Sequence, residues 1–200
     1  MALPKYDKSK RKKSFSLLPK GAYVIKIIDA IEAKNKKGNG THIKIMFDIA
    51  EGPYMNFYTD IAKNSTNEDK KWSNDAFYYL TVPTDASQPF VWDNWNTFFA
   101  DLEDSNDGFV FGGDVKTLRN KVIGGKFHNE QSEYEGNIYD HTKLKWTCVA
   151  DDVRNGNPGQ MPKDKLVNVI TPTNEMTTDA DGFAQLPTDL DEENVPPWMR

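Results

Sequence analysis

The chain has 200 residues, and its 25 Lys and Arg against 30 Asp and Glu give a formal net charge of −5. No run approaches the roughly 20 apolar residues of a membrane span, and the basic N-terminus lacks the apolar stretch of a secretory signal. A single cysteine, Cys148, excludes an intramolecular disulfide framework and zinc sites built from several cysteines. The composition predicts one globular domain in the cytoplasm.

The charges are unevenly distributed along the chain. Residues 1–44 hold 12 basic and 3 acidic side chains, a balance of +9, whereas residues 45–172 carry −8 and residues 173–200 carry −6. A basic front with an acidic tail indicates a polyanion-binding protein despite the negative total. Blocks of like charge are often only solvated, so a solubilising role for each end is the alternative.

The first predicted elements are a basic arm over residues 1–16 and a β-hairpin. From Gly21 a β-branched and aromatic pattern predicts a strand to about Ala33, followed by a lysine-rich turn over 34–40 and a second strand over 41–50. Apolar residues alternate with polar ones in the second strand, which predicts one buried and one solvent-exposed face; the apolar set is Ile43, Ile45, Phe47 and Ile49.

The middle of the chain predicts a third strand over 55–61 and a polar loop over 62–76. The apolar run at 77–82 fits either a strand or a buried helical turn. Helical spacing of large apolar residues after Pro89 predicts a helix over 89–104, and a short second helix is expected over 114–119.

Two further strands are predicted over 122–133 and 137–150, joined by a hairpin loop. In the last strand the alternation places Leu144, Trp146 and Cys148 together on the apolar face. A short strand or docked segment is expected near 166–170, and disorder from residue 171 onward.

No catalytic or metal-binding pattern stands out. The three histidines, His42, His128 and His141, are scattered and match no metal-ligand spacing, and no phosphate-binding glycine loop is present. Cys148 alternates with apolar residues and is expected in the core. We therefore predict a protein that is not an enzyme and has no cofactor.

Binding of single-stranded nucleic acid is better supported, because it needs cations for the phosphates and aromatic faces for the bases. Lysines cluster at the first hairpin, and aromatic residues such as Tyr23, Trp72 and those of the Phe77–Tyr79 run are available for stacking, although most aromatics in any domain belong to the core. The predicted nucleic-acid-binding residues are Lys34, Lys36, Lys37, His42, Lys44, Phe57, Tyr58, Lys143 and Lys145.

The order of elements predicts a mainly β fold. Three strands, one helix and two strands suit the OB-fold, a five-stranded barrel with a helix between strands three and four, here over residues 17–170. Residues 1–16 and 171–200 are then a basic arm and an acidic tail.

Four short motifs carry a resemblance to a known family: residues 18–24 (LPKGAYV), 51–54 (EGPY), 125–127 (GKF) and 133–136 (EYEG). In their order and spacing they resemble a family of bacteriophage proteins, long catalogued as of unknown function, whose members look like OB-fold single-stranded DNA-binding proteins. The similarity covers roughly residues 17–155. It implies single-stranded DNA as the partner, a role in replication and recombination, and a location in the bacterial host cytoplasm.

The C-terminus is similar to the tail of bacterial single-stranded DNA-binding proteins, which docks on replication and repair proteins. In such docking, the acidic run of the tail contacts a basic rim on the partner protein, while an aromatic residue stiffened by proline enters a pocket of the partner. The chain departs from that pattern by ending in Met199 and Arg200, and a solubilising tail is the alternative. The matching residues are Asp189, Asp191, Glu192, Glu193, Pro196, Pro197 and Trp198.

Two other functions remain open from the sequence. One is a small phage recombination nuclease that uses some of Asp48, Asp60 and Glu133 with Mg²⁺. The other is a protein-interaction adaptor whose basic arm binds an acidic partner. The sequence leaves the choice between DNA and RNA, and the formation of a homo-oligomer, undecided.

Overall fold

The computed structural model describes residues 17–35, 38, 40–65 and 71–167. The chain divides into two units, residues 1–167 and 168–200, and the helices and strands described below belong to the first. The predicted basic arm and acidic tail lie outside the described residues. Within the described ranges, no helix combines the length and apolar character needed to cross a membrane.

The fold is mainly β, as predicted, and the described residues include three α-helices. In chain order the elements are β1 (Gly21–Lys34), β2 (Thr41–Ile49), α1 (Phe57–Asn64), a 3-10 turn (Asn74–Ala76), β3 (Phe77–Thr81), α2 (Pro89–Asp104), a second 3-10 turn (Val115–Leu118), β4 (Val122–Tyr134), β5 (Asn137–Cys148) and α3 (Ala150–Arg154). The helix predicted over 89–104 is confirmed, and the run at 77–82 is a strand.

The five strands form one antiparallel sheet in the order β3-β2-β1-β4-β5. The long β1 lies at its centre, with Gly21–Lys26 paired to β4 and Ile25–Lys34 paired to β2. β3 and β5 are the two edges, and no backbone pairing joins them within the described part of the chain. The sheet is therefore not closed into the predicted barrel.

Side chains nevertheless link the two edges of the sheet. His141 of β5 and Asp75, just before β3, are joined by a 3.0 Å contact between Nδ1 and Oδ1. The other ring nitrogen of His141 contacts Ser132 Oγ of β4 at 2.9 Å. The sheet thus curls until its edge strands approach each other, and a polar side-chain contact takes the place of a backbone ladder.

One core fills the inside of this curled sheet. The residues predicted for the inner face of β2 are all buried, and they pack with Phe127 of β4, Leu144 of β5 and Phe98 of α2. Phe47 lies at the centre and packs edge-on against both Tyr58 and Phe127, with ring centroids 5.8 Å apart in each pair. Leu18, from the segment before β1, is also buried in this core.

The prediction of a third strand over 55–61 is wrong, because Phe57–Asn64 forms helix α1. Asn56 precedes the helix in a left-handed conformation with φ of 61° and provides no side-chain cap. Asp48, at the end of β2, supplies the cap: its Oδ1 accepts a hydrogen bond from Tyr58 N and its Oδ2 accepts one from Thr59 N, both at 2.9 Å. A distant carboxylate therefore satisfies the helix start.

The predicted placement of Trp146 in the core is also wrong. The pairing of β4 with β5 shifts between Lys126 and Phe127, which are opposite Trp146 and Leu144. Lys145 is the extra residue of this β-bulge, and a bulge changes the side to which the following residues point. Leu144 is buried in the core as predicted, whereas Lys145 and Trp146 are both exposed. Cys148 is buried as well, but two residues beyond Trp146 it follows the side of Trp146 and not that of Leu144.

A segment after α3 lies along the part of β4 that extends beyond β1. Lys165 N donates to Asn129 O and Gln131 N donates to Lys165 O, so residue 165 forms an isolated parallel bridge with Glu130. The segment expected to dock at 166–170 therefore begins its contact at residue 165, and positions 168–170 lie outside the described residues.

Candidate nucleic-acid interface

The outer surface of β1, β2 and β3 combines cations with aromatic rings. Strand alternation directs Ile43 and Ile45 into the core and leaves His42 and Lys44 on the opposite side. The pairing register aligns Ile31, Lys44 and Tyr79 across the three strands. We call this surface the Tyr79 face; it consists of Ile31, His42, Lys44, Phe77 and Tyr79.

Tyr79 is the most accessible ring of the Tyr79 face, with 54 % of its surface exposed. The ring of His42 packs edge-on against it at a centroid distance of 5.2 Å. Lys44 Nζ lies 4.1 Å from the centre of the Phe77 ring. An exposed ring held beside an ammonium group can stack on a base while the cation contacts the neighbouring phosphate.

The Phe77–Tyr79 run is divided by strand alternation. Phe77 and Tyr79 point outward, whereas Tyr78 points inward and stacks on Phe98 with ring centroids 5.9 Å apart. Burial, and secondarily the charge of Asp101, raise the pKa of Tyr78. The sequence offers all three rings of this run for stacking. The alternation of side chains within a strand is the signal that separates the outward Phe77 and Tyr79 from the inward Tyr78.

The predicted lysines of the first hairpin do not lie together. Lys44 belongs to the Tyr79 face, but Lys34 pairs with Thr41 and follows the side of the hairpin that carries Ile43. A register shift between Ile27 and Asp29 causes this placement, because it changes the side to which the rest of β1 points. The other two predicted residues of the turn, Lys36 and Lys37, lie outside the described residues.

Phe57 and Tyr58 do not contribute to the Tyr79 face, because both belong to α1. Tyr58 is 2 % exposed and packs on Phe47 in the core, and Phe57 is half-buried against Tyr54 and Tyr58. Burial is the main cause that raises the pKa of Tyr58. Tyr58 is therefore closed to a nucleobase, and Phe57, which stays partly exposed, lies on α1 and not on the strands of the Tyr79 face.

Replacing Tyr58 with Phe is expected to stabilise the protein by about 1 kcal/mol, because its buried hydroxyl has no hydrogen-bond partner within the described structure. The substitution removes an unsatisfied polar group and retains the packing of the ring. Urea unfolding measures the change in stability. DNA affinity is expected to stay at the wild-type value, and a large loss of affinity would return Tyr58 to the interface.

Lys143 and Lys145 lie on β5, at the other end of the strand order from β2 and β3. Lys143 Nζ is 4.0 Å from Glu130 Oε1, and Lys145 is exposed at the bulge. Neither residue belongs to β1, β2 or β3, the strands that carry the Tyr79 face. The predicted tail residues between Asp189 and Trp198 lie outside the described part of the chain.

The acids proposed for a nuclease occupy three different elements. Asp48 caps α1 from the end of β2, Asp60 is exposed on α1, and Glu133 is exposed near the tip of the β4–β5 hairpin. Across the described residues, no group of three or more His, Cys, Asp or Glu is arranged to hold a metal ion. Burial raises the pKa of Cys148 to about 11, which keeps its thiol protonated at neutral pH.

Comparison with known proteins adds no assignment. No model of a known protein family matches the chain, and no curated protein matches it. Function is therefore inferred from side-chain placement.

Proposed function

We propose that the chain is a single-stranded DNA-binding protein that holds the strand across the Tyr79 face. The observation that carries this proposal is the alignment of Lys44 and His42 with the outward rings of Phe77 and Tyr79 on adjacent strands. Stacking on aromatic rings tolerates every base, and lysine contacts track the phosphates. These are the two requirements for binding a strand without reading its sequence.

The proposal includes an OB-fold. The order β3-β2-β1-β4-β5, with α2 between β3 and β4, supports it, as does the approach of the two edge strands through Asp75 and His141. Pairing of β3 with β5 would turn this order into a five-stranded barrel. OB-folds hold oligonucleotides on the surface of strands two and three, which is where the Tyr79 face lies.

The biological setting belongs to the proposal as well. A phage or prophage protein of this kind protects single strands during replication and recombination in the cytoplasm of the host. The acidic tail, with Pro196, Pro197 and Trp198 after its acidic run, is proposed to recruit replication and recombination proteins. Support comes from this composition, an acidic run followed by two prolines and a tryptophan.

A titration of labelled single-stranded and duplex oligonucleotides with the full chain tests the proposal. At about 0.1 M salt, fluorescence anisotropy is expected to show tighter binding to the single strand, and the affinity is expected to fall as salt rises because phosphate contacts release counterions. Equal affinity for both forms would refute the proposal. Binding of a host protein without any nucleic acid would favour the adaptor, and Mg²⁺-dependent cleavage would favour the nuclease.

A further inference from the structure

The β-bulge in β5 exposes a tryptophan that regular alternation would bury. Trp146 lies opposite Lys126 in the pairing of β5 with β4, and 39 % of its surface is exposed. The extra residue, Lys145, shares the outer side with it. Bulges are frequent at sites where a strand must redirect a side chain for function.

Further lysines lie on β4, on β5 and on the segment after α3. The segment after α3 lies on the outer side of β4, where Lys163 O contacts His128 Nδ1 at 2.8 Å. Lys126 Nζ donates to Gln160 O of the same segment at 3.5 Å. We call this surface the Trp146 patch; it consists of Lys126, Lys143, Lys145, Trp146 and Lys163.

The cations of the Trp146 patch are only partly neutralised. Glu130 contacts Lys143 at 4.0 Å but lies closer to Lys165, at 3.0 Å. Within the described residues, no carboxylate lies in ion-pair distance of the ammonium groups of the other three lysines of the patch, Lys126, Lys145 and Lys163. These groups remain available to phosphates, although the charge of Asp101 acts on Lys126 from α2.

The Trp146 patch and the Tyr79 face are at opposite ends of the strand order. The Tyr79 face belongs to β1, β2 and β3, whereas the patch belongs to β4 and β5 and the segment beside them. The two surfaces share no residue and no strand, although the sheet curls so that its edge strands approach each other through His141 and Asp75.

We infer that the Trp146 patch is a second binding site for single-stranded nucleic acid, so that one chain holds two strand segments at once. This inference rests on the proposed function and extends it. Tryptophan offers the largest stacking surface of the aromatic residues, and the lysines of the Trp146 patch supply cations for phosphate contacts. A protein with two such sites brings two strands, or two distant parts of one strand, close together.

Stoichiometry with short oligonucleotides tests the second site. Native mass spectrometry and calorimetry of the full chain with a strand of about 8 nucleotides, within the 4–16 that one OB-fold covers, are expected to give two strands per chain. Trp146→Ala is expected to weaken one of the two sites about 5- to 150-fold and leave the other unchanged. Tyr79→Ala is expected to weaken the other site.

Matched variants separate the sites from general effects. Trp92→Ala removes another exposed tryptophan, on α2, and is expected to preserve both sites. Lys145→Glu is expected to weaken the same site as Trp146→Ala without removing a ring. Donor- and acceptor-labelled strands mixed with the wild-type chain are expected to show energy transfer that Trp146→Ala abolishes.

The outcomes distinguish this inference from the proposed function. One strand per chain, lost in Tyr79→Ala and unaffected by Trp146→Ala, would overturn the second site and leave the proposed function intact. No binding by the wild-type chain would overturn both. Two strands per chain with neither lost in Trp146→Ala would also reject the Trp146 patch.

Discussion

Tyr79→Ala is expected to weaken binding of single-stranded DNA to the Tyr79 face by about 5- to 150-fold, because stacking of one base on an aromatic ring contributes about 1–3 kcal/mol. The ring projects from an edge strand and is more than half exposed, so its removal leaves the core intact. Unfolding in urea is expected to be nearly unchanged. Anisotropy with a single-stranded oligonucleotide too short to span both proposed sites measures the affinity.

Two further variants make this experiment specific. Phe90→Ala removes an exposed ring of α2, outside the Tyr79 face, and is expected to leave the affinity at the wild-type value. Lys44→Ala removes one phosphate contact, which is expected to reduce the slope of log affinity against log salt by about 0.7. Equal losses in Phe90→Ala and Tyr79→Ala would show that stacking is not localised on β3.

The elements that were predicted correctly carry their signal within a few neighbouring residues. The alternation from Ile43 to Ile49 defines both the strand and its buried face, and the apolar spacing after Pro89 defines α2. In each case the local pattern and the packing agree, since the four apolar residues of β2 and, in α2, Phe98, Phe99 and Leu102 are buried in the core. His42 and Lys44 were placed on the outer face for the same reason.

The elements that were missed depend on contacts or irregularities that are not local. Residues 55–61 have strand-like composition, but they form a helix. The Asp48 carboxylate, on the other side of the turn after β2, accepts hydrogen bonds from the backbone N–H groups at the start of this helix. Bulges in β1 and β5 each add one residue and reverse the later alternation, which places Lys34 on the side that carries Ile43 and turns Trp146 out of the predicted core. A single sequence contains no clear sign of where a strand accommodates an extra residue.

The candidate site follows the same division. Its two polar members come from a regular strand and were predictable from alternation. The sequence could not show that Phe77 and Tyr79 point outward and Tyr78 does not, because this depends on the run being a strand. A helical turn would have turned a different residue of the run outward. The Trp146 patch required the bulge and the path of the segment after α3, neither of which a periodic pattern specifies.

Asp48→Ala is expected to lower the free energy of unfolding by about 3 kcal/mol or more. The buried carboxylate accepts hydrogen bonds from the backbone N–H groups of Ile49, Tyr58 and Thr59, and each N–H left unpaired in the interior costs about 1–3 kcal/mol. No side chain at the N-cap of α1 can substitute, since Asn56 makes no capping hydrogen bond. Urea unfolding measures the loss, and faster amide exchange in α1 is expected to accompany it.

Two comparisons show whether capping is the cause. Asp60→Ala removes an exposed acid from the same helix and is expected to change stability by less than about 0.5 kcal/mol. Asp48→Asn keeps one acceptor oxygen but places an amide NH₂ where the second acceptor stood, so an intermediate loss is expected. Equal effects of Asp48→Ala and Asp60→Ala would contradict the capping role. The buried carboxylate of Asp48 accepts three backbone hydrogen bonds, and two of them join the end of β2 to the start of α1.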